Sequence, residues 1–316
     1  MPKVKEKVMR AVFMTAALTS ILAVILICVF LFVQGLPAMF RIGVQDFIMG
    51  IKWAPTRAEN PTFGILPMIL GSVYVTAGAI LLGVPVGVFT AIFMSRFCPK
   101  PLYRLIKPAI NLMAGVPSVI YGFFGMMVIV PAIFESLGKH FDMMSGDSML
   151  AASIILGIMI LPTVINIAET NLSAVSKELY EGAIALGASH ERAIFKVVLP
   201  AARSGVMAAV VLGVGRAIGE TMAVTMVAGN QTALRAPYEF LRGLRTMTTN
   251  IVIEMGYVEQ GSLHNGALIA TGVVLFVFIL IINTLFSILI KDKEKRVRKT
   301  ARENSAGPAE EAGRDG

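Results

Sequence analysis

Arg216 and Glu220 are the residues of this 316-residue chain whose types and spacing point most directly to chemistry. Both lie inside an apolar stretch, four positions apart, so on a continuous helix they share a face. An arginine at the centre of a bilayer costs about 2.5–3.5 kcal/mol even on insertion scales, and it needs a partner or water. A helix starting at Arg203 climbs roughly 20 Å to Arg216, which sets the guanidinium near or past the midplane, too deep to snorkel easily. Two arrangements fit. Arg216 can offer its planar fork to an oxyanion in transit, with Glu220 holding it or opening as the anion arrives. Alternatively, the two form a structural ion pair. Thr221 and Thr225 add hydroxyls nearby, either as polar lining or as packing groups between helices.

The elements that must position this pair are membrane spans. Only 15% of residues are charged and over half are apolar, with a mean hydropathy of +0.75; soluble domains carry roughly a quarter charged residues. Six segments are apolar enough for a span of about 20 residues: about 11–33, 65–94, 108–132, 151–168, 204–227 and 267–290. The expected fold is an all-α membrane protein with six transmembrane helices. With these bounds, Arg216 and Glu220 are the only charged residues within the spans. The +8 net charge does not signal nucleic acid, because the basic residues sit in short clusters between apolar runs. Segments 1–10, 95–107, 169–203 and 291–316 hold 20 Lys and Arg, against 7 in the alternate segments. The positive-inside rule then puts both termini in the cytoplasm. Lys3, Lys5, Lys7 and Arg10 precede the first span, but its apolar stretch is too long for a signal peptide, and it is read as a retained helix.

The permease domain is expected over 11–290, between a cytoplasmic N-terminus at 1–10 and a tail at 291–316. The end of that tail has no apolar residue larger than alanine, and disorder is expected. Pro67, Pro85, Pro117, Pro131 and Pro162 fall in the spans, so kinks and irregular interior backbone are expected. Gly215 and Gly219, like Ala209 and Gly213, have the spacing that lets helices approach closely. This places the charged pair at a helix–helix interface. The external stretch from Tyr238 to Met255 has the apolar pattern of short helices lying on the outer face.

The cytoplasmic segment reads Glu181-Gly182-Ala183, then Leu186-Gly187-Ala188, then Val197-Val198-Leu199-Pro200. This resembles the E-A-A loop of bacterial ABC importer permeases, keeping Glu181, Ala183, Gly187, Leu199 and Pro200 and departing at Gly182 and Val197. In that family the loop forms a short coupling helix that docks on the ATP-binding subunit, with Gly187 at the turn after it. The stretches A-G-V-P-S-V-I-Y-G-F-F-G (114–125), G-R-A-I-G-E-T-M-A-V-T-M-V-A-G-N (215–230), R-T-M-T-T-N-I-V-I-E-M-G (245–256) and G-S-L-H-N-G-A-L (261–268) resemble phosphate importer permeases of the PstC type. The resemblance implies a type I ABC importer fold in a bacterial inner membrane. It implies a second permease subunit (PstA type), two ATP-binding subunits (PstB type) that hold ATP and Mg, and an external phosphate-binding protein (PstS type). It also ties the span-five arginine and glutamate, here Arg216 and Glu220, to phosphate passage, and the neighbouring Thr221 hydroxyl is read as lining the same pathway.

No phosphate-binding G-x-x-x-x-G-K-[ST] loop is present, so the chain itself is not expected to bind ATP or to be an enzyme. His190-Glu191 begins a zinc-like motif, but Ile194 stands where its second histidine would be. Cys28 and Cys98 read as packing residues, and no nucleophile, metal or cofactor site is expected. The rival readings are a secondary transporter or ion channel using Arg216–Glu220 as a relay, a permease for another oxyanion, and a structural scaffold.

Overall fold

The computed structural model describes residues 2–285 and 288 apart from 58, 139, 142 and 144, with side chains from residue 5 onward. The 291–316 tail, expected to be disordered, lies outside the described residues, as does the end of the 267–290 span. The helices, in chain order, are α1 (Pro2–Ile42), α2 (Val44–Met49), α3 (Leu66–Phe97), α4 (Lys100–Gly115), α5 (Ser118–Gly138) and α6 (Met149–Ser173), followed by α7 (Lys177–Ala185), α8 (His190–Ala201), α9 (Arg203–Gly219), α10 (Met222–Val227), α11 (Met247–Met255) and α12 (Leu263–Leu285). A two-stranded hairpin, β1 (Trp53–Ala54) and β2 (Thr62–Phe63), pairs Trp53 with Phe63. Helices α1, α3, α5, α6 and α12 are long and apolar enough to cross a membrane, and α8 with α9 makes a further crossing bent by 69°. The chain is thus a multi-pass membrane protein.

Helix α6 is the centre of the bundle. Its Ile155, Leu156, Met159 and Ile160 are fully buried in a core shared with α3, α9 and α10. Glycine makes the closest approach possible: a Cβ on Gly83 of α3 would lie 2.6 Å from the carbonyl oxygen of Gly157 on α6. The two backbones therefore touch through small residues, as membrane helices do when lipid supplies no hydrophobic drive. By contrast, α1 lies outside this core. It leans on α12 through Phe32–Phe276 edge-to-face stacking and through Gly35 against Val273.

Two spans differ from their sequence bounds. The 108–132 segment breaks at Val116–Pro117, giving the amphipathic helix α4 and the span α5. Pro117 has no N–H to donate and caps α5, while Lys100, Arg104 and Lys107 keep α4 at a polar boundary. The 204–227 segment breaks at Glu220–Thr221. Helix α9 alone is about 26 Å long, short of the ~30 Å hydrocarbon core, and α10 supplies the remainder. Of four π-helical turns among the described residues, three, Phe93–Phe97, Gly125–Ile129 and Ile194–Val198, end two residues before a proline, Pro99, Pro131 and Pro200, and the fourth, Phe134–Gly138, does not. The extra residue per turn absorbs the hydrogen bond and space that the proline ring takes away.

Candidate functional site

The break in span five determines how its charged residues are presented. Helix α9 stops at Gly219, and Glu220 adopts an extended conformation with ψ 129°. Arg216 and Glu220 therefore do not share a continuous helical face, contrary to the reading of their spacing. Arg216 occupies the last turn of α9, where a cation complements the negative end of the helix dipole. Its Nη1 donates to Thr163 Oγ1 on α6 at 3.1 Å. Among the described residues, no carboxylate oxygen comes within 4.0 Å of its guanidinium. The side chain is exposed on the surface of this chain, with most of its five donors free.

Glu220 serves the next helix instead. Its Oε1 accepts from the Ala223 N–H of α10 at 3.4 Å, and its carbonyl accepts from Thr248 Oγ1 of α11 at 3.3 Å. Thr221 Oγ1 donates back to the Gly219 carbonyl at 3.3 Å, and Thr225 Oγ1 donates to the Thr221 carbonyl. Open backbone at membrane depth persists only where neighbours satisfy it or a cavity receives it, and here both hold. Ser72, Thr76, Glu220, Thr246 and Thr248 line a small cavity that leaves about 10 Å³ for the centre of a water-sized sphere. That is room for one water and too little for an oxyanion. A larger cavity, about 730 Å³ between α1 and α12 and lined by Phe30, Val33, Arg41 and Asn265, shares no residue with this site.

Above Glu220, α11 is fixed by a buried carboxylate that sequence reading did not single out. Glu254 accepts from Trp53 Nε1 at 2.9 Å, from Arg245 Nη1 at 2.7 Å and meets His264 Nε2 at 2.7 Å. Burial pushes the nearby Tyr257 hydroxyl pKa up, and the Glu254 charge adds to the effect. Toward the other end, a second ion pair was also missed. Lys107 of α4 lies 2.8 Å from Glu169 of α6, one residue outside each of two expected spans. The polar residues Thr163, Asn166, Glu169, Thr170 and Ser173 recur at helical spacing, which was the signal available in the sequence.

The predicted coupling residues form an exposed module. Helix α7 carries Glu181 and Ala183 and has no buried residue. It closes on Gly187, whose φ of +83° only glycine adopts cheaply. The Gly187 N–H donates to the Ile184 carbonyl at 2.9 Å, and the Ala188 N–H to that of Ala183 at 3.1 Å, the hydrogen-bond pair of a left-handed helix stop. Leu186 is 91% exposed beside half-exposed Leu179. Glu178, bonded to its own backbone N–H and to Ser176, has its carboxyl held below the usual range. Leu199 and Pro200 lie in α8, joining this module to α9. Among the described residues, no group of three or more His, Cys, Asp or Glu side chains is arranged to hold a metal.

Comparison with known proteins gives a consistent picture. The family described as "Binding-protein-dependent transport system inner membrane component" matches residues 83–299. A Bacillus subtilis protein described as a probable ABC transporter permease, YqgH, is 40% identical over 88% of this chain and 90% of its own length. The phosphate transport system permease protein PstC of Mesorhizobium japonicum is 34% identical over 85% of each chain. Among solved structures, a chain of a bacterial ABC transporter involved in import of the polysaccharide alginate superposes with a TM-score of 0.61 at 16% identity, covering 92% of this chain and 99% of that one. A chain of the MetNI methionine transporter gives 0.57, also at 16% identity, over 72% and 95%. At that identity these structures establish the fold alone.

Proposed function

This chain belongs to the family of binding-protein-dependent transport system inner membrane components, and from that membership we propose that it is a permease subunit of an ATP-driven importer of inorganic phosphate in a bacterial inner membrane. It forms the translocation path with a second permease subunit. Of two ATP-binding subunits, which hold ATP and Mg, one docks on α7 and the other on the second permease, and an external phosphate-binding protein delivers the anion to the opposite face. The relatives named as phosphate transport permeases support the substrate.

The observation that carries the reading is the state of Arg216. It is a cation deep in a span, with a hydroxyl as its hydrogen-bond partner and no carboxylate within 4.0 Å among the described residues. Facing lipid, it would be costly. Facing a partner permease across an aqueous path, it is a ready bidentate site for an oxyanion. A relay of the secondary-transporter kind has less support, because Arg216 and Glu220 are not paired.

The test is ATP-dependent uptake of radiolabelled phosphate by the full complex in proteoliposomes. A charge-assisted hydrogen bond contributes about 1.5–3 kcal/mol, so Arg216→Ala is expected to slow uptake roughly 10- to 100-fold in a complex that still assembles. Normal uptake by an assembled Arg216→Ala complex would refute the pathway role, and efficient competition by sulfate or molybdate would reassign the substrate.

A further inference from the structure

Two cations reach the same face of α6 from different helices. Arg216 of α9 donates to Thr163 Oγ1. Lys107 of α4 donates to Asn166 Oδ1 at 2.9 Å and to Glu169 Oε2 at 2.8 Å. Thr163 and Asn166 are three residues apart on one helix, so they stand one above the other, about 4.5 Å apart along the axis. Lys107 is thereby set one turn from Arg216, on the side that leads to Ser173 and α7. Thr170 and Ser173 continue this polar edge of an otherwise apolar helix, and Ser173 Oγ donates to Glu169 at 3.3 Å.

The Lys107–Glu169 pair is more than a staple between α4 and α6. That tether is already made by Tyr103 Oη, which donates to Glu169 Oε1 at 3.2 Å, and hydrogen bonds alone would complete it. An ammonium has three donors, and among the described residues two are engaged. The Lys107 side chain stays 24% exposed while that of Glu169 is 8% exposed, so an arriving anion has readier access to the lysine than to the carboxylate. An anion arriving at Lys107 must compete with Glu169. The hold is correspondingly weak, as a site along a path must be if its occupant is to leave.

We propose that Lys107 is a second oxyanion station, one turn of α6 inward from Arg216, with Glu169 as the counter-ion that takes Lys107 back when the anion departs. The proposal rests on the phosphate-import reading. It is tested in proteoliposomes holding the full complex, with inorganic phosphate as the probe. Lys107→Gln keeps a donor for Asn166 and Glu169 but removes the charge. The expected result is a fall of about tenfold in maximal uptake rate, with Lys107→Arg restoring it to within about twofold and the half-saturating phosphate concentration unmoved. Uptake at the wild-type rate by Lys107→Gln overturns the second station and leaves the Arg216 reading intact. Absence of ATP-dependent phosphate uptake by the wild-type complex overturns both. If Lys107→Gln does not assemble, Lys107→Cys in a Cys28→Ser, Cys98→Ser background is treated with an aminoethyl or a methyl thiosulfonate. Rescue by the cationic reagent alone supports the station, and equal activity with both refutes it.

Discussion

Arg216 and Glu220 lie four residues apart in sequence, yet each serves a different helix end. Arg216 closes α9 and reaches Thr163, while Glu220 opens α10. Their identity as charges within a span was legible from the sequence, because charge stands out in an apolar run. Their separation was not, because nothing in G-R-A-I-G-E-T-M contains a proline to mark the break, and Glu220 turns extended where α10 and α11 can bond its side chain and carbonyl. Lys107 and Glu169 escaped notice for a related reason: hydropathy sets the edge of a span where charge appears, and these charges sit at that edge but point inward. Glu254 was equally silent, since its partners Trp53, Arg245 and His264 come from three separate segments. Its contribution can be measured. Glu254→Leu leaves a buried arginine without its counter-charge and is expected to cost about 3–5 kcal/mol, read as a marked fall in the thermal unfolding midpoint of the purified complex. Glu254→Gln, which keeps part of the hydrogen bonding, should cost about 1–3 kcal/mol.

At the scale of elements, the helix α7 and its glycine stop follow from local chemistry, which is why the sequence pattern located them. Ser176 stands at the start, and Gly187 adopts the positive φ that ends the helix. The amphipathic break at Pro117 and the composite fifth span were harder to read, because apolar content alone does not distinguish one long helix from two joined ones. The exposure of α7 gives a direct test. Leu186 makes so little contact within its own chain that Leu186→Glu should leave the unfolding free energy of the isolated permease within about 0.5 kcal/mol of wild type. The same substitution is expected to abolish copurification of the ATP-binding subunit. Retained copurification would show that the docking surface lies elsewhere.

The whole molecule has two unlike ends. One carries α7, Arg96 bonded to the Leu172 carbonyl, and the basic segments 95–107 and 169–203; the other carries the hairpin, α11 and the Glu254 network. By the positive-inside rule we predict that the first end, the richer in Lys and Arg, faces the cytoplasm. In a Cys28→Ser, Cys98→Ser background, a membrane-impermeant maleimide should label Leu186→Cys only in inverted vesicles and Ser262→Cys only in intact cells or spheroplasts. The reverse pattern would invert the topology.

The 69° bend between α8 and α9 has a mechanical consequence. The two rods form a crank whose elbow, Ala202, is buried against α6 and α3 and cannot slide freely. One arm is about 18 Å long and ends near α7; the other is about 26 Å long and ends at Arg216 and the α9–α10 break. With the elbow as fulcrum, a rocking of about 10° displaces the short arm's tip by ~3 Å and the long arm's tip by ~4.5 Å. A rocking imposed at the short arm would therefore be amplified, and redirected through the angle of the bend, at the guanidinium. The joint at Glu220 then lets the outer half-helix stay with α11 while the inner arm swings.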